Sequence, residues 1–152
     1  METFDQLYAR LRESPEALNA KLRADCQMGD GDVIPSLQRQ AQTYMEWGYI
    51  HAAAEAEARR AKYEFQEDIP ALFRERAEDA CKAEGKKATI NSVQDKLVLM
   101  DPYRDARIAF IKAEQLANCA KHAVEAMKHR LYSLQSLNSR QKSELNTLPR
   151  EI

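Results

Sequence analysis

The stretch with the clearest chemical content is Arg59-Arg60-Ala61-Lys62-Tyr63-Glu64-Phe65. Three cations fall within about one helical turn, beside two aromatic rings. Cations neutralise phosphates and aromatic faces stack on unpaired bases, so this combination suits single-stranded nucleic acid. The same residues have a plain structural use. Phe65 would face a core, while Arg59 and Lys62 would pair with Glu55 and other acids one turn away. A second basic pair, Lys86-Lys87, falls where a loop between helices is expected, and it serves equally well as a solubilising loop.

Metal chemistry has one candidate cluster: Cys119, His122, Glu125 and His129, near one side of a single helix. These are ligand-forming residue types. One helix cannot close a tetrahedral shell alone, and only His51 lies elsewhere to help. Exposed residues beside a packed seam are the simpler account. Di-iron bundles require Glu-x-x-His pairs, and no Glu here precedes a His by three positions. Glycine-rich phosphate loops, GxSxG and HExxH are absent. The acids Glu55, Glu57, Glu67 and Asp68 read as solvating groups. A non-enzymatic protein without cofactor or metal is expected.

The elements that must carry these residues are helices. Ala106, Phe110, Ala113, Ala117, Ala120, Val124, Met127, Leu131 and Leu134 recur at alternating spacings of 4 and 3. Such a heptad seam predicts a coiled-coil-like helix. Ile108, Ile111, Leu116, Ala123 and Leu137 widen it. No Gly or Pro falls between Tyr103 and Leu148. A helix of that span reaches about 60 Å and cannot bury its seam alone. Val124, Met127, Leu131, Leu134 and Leu137 are therefore the predicted oligomerisation residues, in a homo-oligomer.

A second long helix is predicted over 34–84, kinked at Pro70. Leu37, Ala41, Tyr44, Gly48, His51, Ala52, Ala58 and Phe65 form its inner face, thickened by Trp47, Ile50, Ala54 and Ala61. Beyond the proline, Leu72, Phe73, Ala77 and Ala80 continue the face to a stop at Gly85. Its Ala-rich middle matches the alanines of the C-terminal helix, so the two are expected to pack as an antiparallel hairpin. Residues 1–33 supply N-terminal helices and a loop at Gly29-Asp30-Gly31-Asp32. Thr3 and Ser14 act as caps, with Pro15 at the first helical position. Thr89 opens a short helix over 89–100, with Val93, Leu97 and Met100 inward. Asp101-Pro102 starts the long C-terminal helix, 102–145, with Asp101 as its cap. The whole reads as one all-α domain, 1–152.

Composition agrees with this. Only 4 Gly and 5 Pro occur in 152 residues, leaving few turns, and 31% of residues are charged, as on solvated helix faces. No run of about 18 apolar residues occurs, so no membrane span is expected. Met1 to Arg12 lacks the apolar run of a signal peptide. Cys26, Cys81 and Cys119 are odd in number and widely spaced, which fits reduced thiols in a cytoplasmic protein. The formal net charge is −1. Residues 1–35 carry 4 bases against 7 acids, residues 36–85 carry 7 against 10, and residues 86–152 carry 12 against 7. A polyanion would be met in the C-terminal third or at local clusters.

The stretch Lys86-Lys87-Ala88-Thr89 through Val93, Asp95, Leu99, Asp101 and Tyr103, followed by the Ala-rich helix to Lys128-His129-Arg130-Leu131 and Leu134, resembles the UvsY-type recombination mediators of tailed phages. Arg59-Arg60-Ala61-Lys62-Tyr63 is similar to that family's basic-aromatic stretch. The resemblance covers roughly residues 45–137 and rests on diffuse motifs. It implies a protein of the infected bacterial cytoplasm that binds single-stranded DNA as a ring-like homo-oligomer. Such a protein helps a recombinase displace single-strand-binding protein. By position, Arg59, Arg60 and Lys62 would contact phosphates, with Tyr63, Lys86 and Lys87 beside them. Two features depart from that pattern: the slight overall acidity, and the acids Glu55, Glu57 and Glu64 around the proposed site. Repetition around an oligomer would offset both. The alternative is a helical assembly or scaffolding protein of phage morphogenesis type, acting only through protein contacts.

Overall fold

The computed structural model describes residues 2–26 and 33–147, and among these every regular element is helical. In chain order they are α1 (Phe4–Glu13), α2 (Pro15–Cys26), α3 (Val33–Tyr63), a π-helical turn (Glu64–Asp68), α4 (Ile69–Ala83), α5 (Ile90–Val98) and α6 (Asp101–Thr147). The all-α class expected from the sequence is the one observed. The Gly29–Asp32 turn lies outside the described residues. No helix among them is long and apolar enough to cross a membrane.

Local chemistry sets most helix ends. Thr3 caps α1 through a reciprocal box with Gln6, and Ser14 Oγ accepts the Ala17 N–H at 3.1 Å to open α2. Thr89 forms a second such box with Ser92 at the start of α5. Gly85 terminates α4 at φ 70°, a left-handed conformation that costs glycine little. Around it the Lys86 N–H reaches Cys81 O at 3.1 Å and the Gly85 N–H reaches Lys82 O at 2.9 Å, the paired bonds of a Schellman stop. One cap differs from expectation. The Arg104 N–H donates to Met100 O, so α6 is entered one residue earlier and the Asp101 carboxylate pairs with Arg104 instead.

Pro70 acts upstream of itself. A proline cannot donate to the carbonyl four residues back, here that of Gln66, and its ring crowds that oxygen. The chain relieves this over Glu64–Asp68, where the Ile69 N–H donates to Glu64 O in a five-residue π step. The departure from α geometry therefore precedes Pro70, and the proline itself sits in the first turn of α4.

The chain divides into two compact units, Met1–Ala52 with Asn118–Ile152, and Ala53–Ala117. In the first, Leu7, Leu11, Trp47, Ile50, Ala120, Ala123 and Met127 form the core, flanked by Tyr8, Leu18, Leu22 and Tyr44. Gln40 is buried there and donates to Met127 O at 3.2 Å. In the second, Ala77, Cys81, Val93, Leu97 and Tyr103 form the core, with Phe65, Ile69, Phe73 and Met100 packed on it.

The inner face of α3 is rotated from the expected one. Gln40, Trp47, Ile50 and Ala54 are the buried residues; Leu37, Ala41, Tyr44, Gly48 and His51 are half-buried at the side, and Ala52 is exposed. The large Trp47 ring, not the run of small residues, centres the contact. Along α6 the seam is buried at Ala106, Ala113, Ala117, Ala120, Met127 and Leu134. Of the second stripe, Leu116 and Ala123 are buried, while Ile108, Ile111 and Leu137 are exposed.

Candidate nucleic-acid interface

The π-helical turn decides what the second unit displays. From within it onward, Phe65, Ile69, Phe73, Ala77 and Cys81 recur every fourth residue on the inner side. A regular α-helix would drift steadily away from such a spacing, and the wider turn absorbs part of that drift. Phe65 thereby lies 5.0 Å from the Tyr103 ring and 6.0 Å from the Phe110 ring, distances typical of favourable aromatic pairs. The Tyr103 hydroxyl accepts from Gln94 Nε2 at 3.0 Å. Leu72, expected inward, is turned outward and is 75% exposed. Cys81, which the spacing did not single out as core, takes an inner position and is fully buried.

The same stretch borders an open cleft of about 830 Å³, lined by Arg59, Arg60, Tyr63, Glu64, Asp68, Ile69, Ala71 and Leu72. Tyr63 is 61% exposed. Arg59 is bonded to Glu55 at 2.7 Å. Among the described residues no ion pair engages Arg60, Glu64 or Asp68. The cleft thus offers a cation, an aromatic face and an apolar rim, along with two carboxylates.

Three of the six predicted nucleic-acid residues share this cleft: Arg59, Arg60 and Tyr63. Lys62 is exposed on the same helix but does not line it. Lys86 and Lys87 lie in the connection from α4 to α5 and do not line the cleft. Lys86 is held by Glu84 at 3.1 Å, and Lys96 binds the same carboxylate. Those bonds, Lys96 first and Lys86 second, lower the Glu84 pKa from its ordinary value. Glu64, expected among the acids around the site, lines the cleft, whereas the spacing did not single out Asp68 or Leu72 as lining groups. The signal available for them was Pro70, four residues beyond Gln66.

The predicted oligomerisation residues are divided. Met127 lies wholly inside the first unit's core and Leu134 is buried within the chain. Trp47 and Ile50 share the Met127 cluster, which is why that position is filled from within the chain. Val124 and Leu131 are half-buried, and Leu137 is exposed.

The first unit also holds a polar network that the spacing did not reveal. The Trp47 Nε1–H donates to Asp25 Oδ2 at 2.9 Å. Lys21 Nζ bridges Asp25 at 3.1 Å and Glu46 at 2.7 Å, and stands 5.6 Å from the Trp47 ring centre. Arg130 donates to the Asp25 carbonyl. Burial pushes the Lys21 pKa down, but its bonds to Glu46 and Asp25 outweigh this, and the net shift is upward from 10.5. This network fastens α2, which has no buried residue of its own, to α3 and α6.

His122 and Glu125 approach at 3.8 Å on the exposed side of α6, and Cys119 is exposed. No group of three or more His, Cys, Asp or Glu side chains arranged to hold a metal occurs among the described residues. Comparisons with protein-family models, with curated proteins and with solved structures return no match.

Proposed function

We propose that this chain is a non-enzymatic helical protein that binds single-stranded DNA through the Arg59–Leu72 cleft and serves as a recombination mediator. The observation that carries the reading is the juxtaposition of Arg60, outside every ion pair among the described residues, with the exposed Tyr63 ring in one cleft. A phosphate on Arg60 and a base on Tyr63 are the two contacts single-strand binders combine. The partners are a recombinase and single-strand-binding protein, as the resemblance to phage mediators implies. The first unit supports an antiparallel arrangement of α3 and α6: Gln40 meets Met127, while Trp47 and Ile50 share a core with Ala120 and Ala123. Subunits of a homo-oligomer, ring-like in this reading, associate through the coiled-coil-like α6, using exposed Leu137 with half-buried Val124 and Leu131.

The test is fluorescence anisotropy of a labelled mixed-sequence single strand, titrated with protein over a salt series. Affinity falling linearly in log–log against salt is the expected result, and Arg60→Ala should reduce that slope by about 1. A folded protein that ignores the strand at low salt removes the proposal. The second reading, an assembly factor acting through protein contacts alone, is favoured by Ile108, Ile111 and Tyr132 lying exposed on α6. Tight, salt-dependent binding that Arg60→Ala weakens excludes it.

A further inference from the structure

The cleft carries two carboxylates that a surface built only for phosphate would avoid. Arg60 and Glu64 are four residues apart, the spacing of an ordinary helical ion pair. No such pair forms between them, and the π turn begins at Glu64. Glu64 and Asp68, at the two ends of that turn, likewise engage no cation among the described residues. Both line the cleft with Tyr63 and Leu72. Its volume, about 830 Å³, falls within the range of small-ligand pockets, about 300–1,000 Å³.

Phosphates are repelled by these acids and go to the arginines. What enters beside Glu64 and Asp68 must donate hydrogen bonds, because an ionised carboxylate only accepts. A flat group stacked on Tyr63 with N–H donors at its edge meets both demands. Resting on the proposal of single-strand binding, we infer that this cleft selects bases bearing an exocyclic amino group, and so prefers cytosine to thymine. The two pyrimidines have the same ring size. Where cytosine presents its N4 amino group, thymine presents the O4 carbonyl, which a carboxylate opposes. One well-placed contact of this kind is worth about fivefold or more in affinity.

The experiment compares oligo-dC with oligo-dT of equal length on the full-length protein. Mildly alkaline pH keeps cytosine neutral and the dC strand unfolded. Oligo-dC should bind about tenfold tighter. The Glu64→Ala/Asp68→Ala variant should bring the ratio close to one while binding oligo-dT equally or more tightly, with helicity checked by circular dichroism. Equal affinities for the two strands in the unaltered protein would overturn the selectivity and leave single-strand binding standing. A ratio that survives in the variant would also overturn it. Failure to bind either strand would remove the underlying proposal instead. The comparison on the unaltered protein needs no variant to fold, and Glu64→Ala alone should narrow the ratio in part.

Discussion

The two units use charge in opposite ways. In the first, Lys21, Asp25, Glu46 and the Trp47 indole satisfy one another around a wholly buried ring. In the second, Arg60, Glu64 and Asp68 stay outside any ion pair among the described residues, beside an exposed tyrosine. Helix-borne charges were equally available to both. The difference is that the first unit pairs this set across three helices, whereas the cleft of the second displays Arg60, Glu64 and Asp68 along one stretch of chain. A network closed on itself stabilises, because its groups have already exchanged water for fixed partners. A set left open keeps its groups accessible, and the proposed function gives them a partner outside the unit. That contrast separates a region closed on itself from the one proposed here for recognition, although both are helical.

Trp47→Ala should show the largest effect on that contrast. Losing the ring leaves a cavity in the first core and strips Asp25 of a donor, so a cost of about 3–5 kcal/mol is expected in denaturant unfolding. A loss below about 1 kcal/mol would mean that the ring does not centre that unit. Tyr63→Ala should do the reverse. Thermal stability stays nearly constant for so exposed a side chain, while single-strand affinity drops by about 1–3 kcal/mol in the anisotropy assay. A stability loss without an affinity loss would make the second unit structural as well. The smallest effect concerns pH. The folded Lys21 pKa lies above its ordinary 10.5. Its contribution is therefore fully present below about 10.5 and is lost as pH rises through the folded value. Thermal melts of the parent and Lys21→Met should differ at neutral pH and converge in strong alkali. Curves that stay parallel would show that the network does not depend on the Lys21 charge.

The helical class, the capping residues Thr3, Ser14 and Thr89, the stop at Gly85 and most of the α6 seam were legible in the amino-acid sequence. These depend on interactions within four or five residues, or on a period intrinsic to the helix. The inner face of α3 was harder to read. Small and large apolar residues surround that helix, and only a partner's shape chooses Trp47 over Ala52 as the centre. The candidate site was legible in part. Arg59, Arg60 and Tyr63 stood out by type, while Leu72 was placed on the wrong side because the break was expected at Pro70 and not in a π turn before it.

The sequence by itself determined that the chain is helical, where several helices begin or end, and which residue types could meet a polyanion, since these follow from local bonding and side-chain chemistry. Only the tertiary structure decided which of those charges stay open. Asp25 meets Trp47 across 22 positions and Arg130 across 105, and no local period encodes such pairings. The π turn before Pro70 is local in cause. Its consequence, Phe65 turned toward Tyr103 and Phe110 with the Glu64 and Asp68 carboxylates in the cleft, exists only once α4 and α6 supply the surfaces that it re-phases.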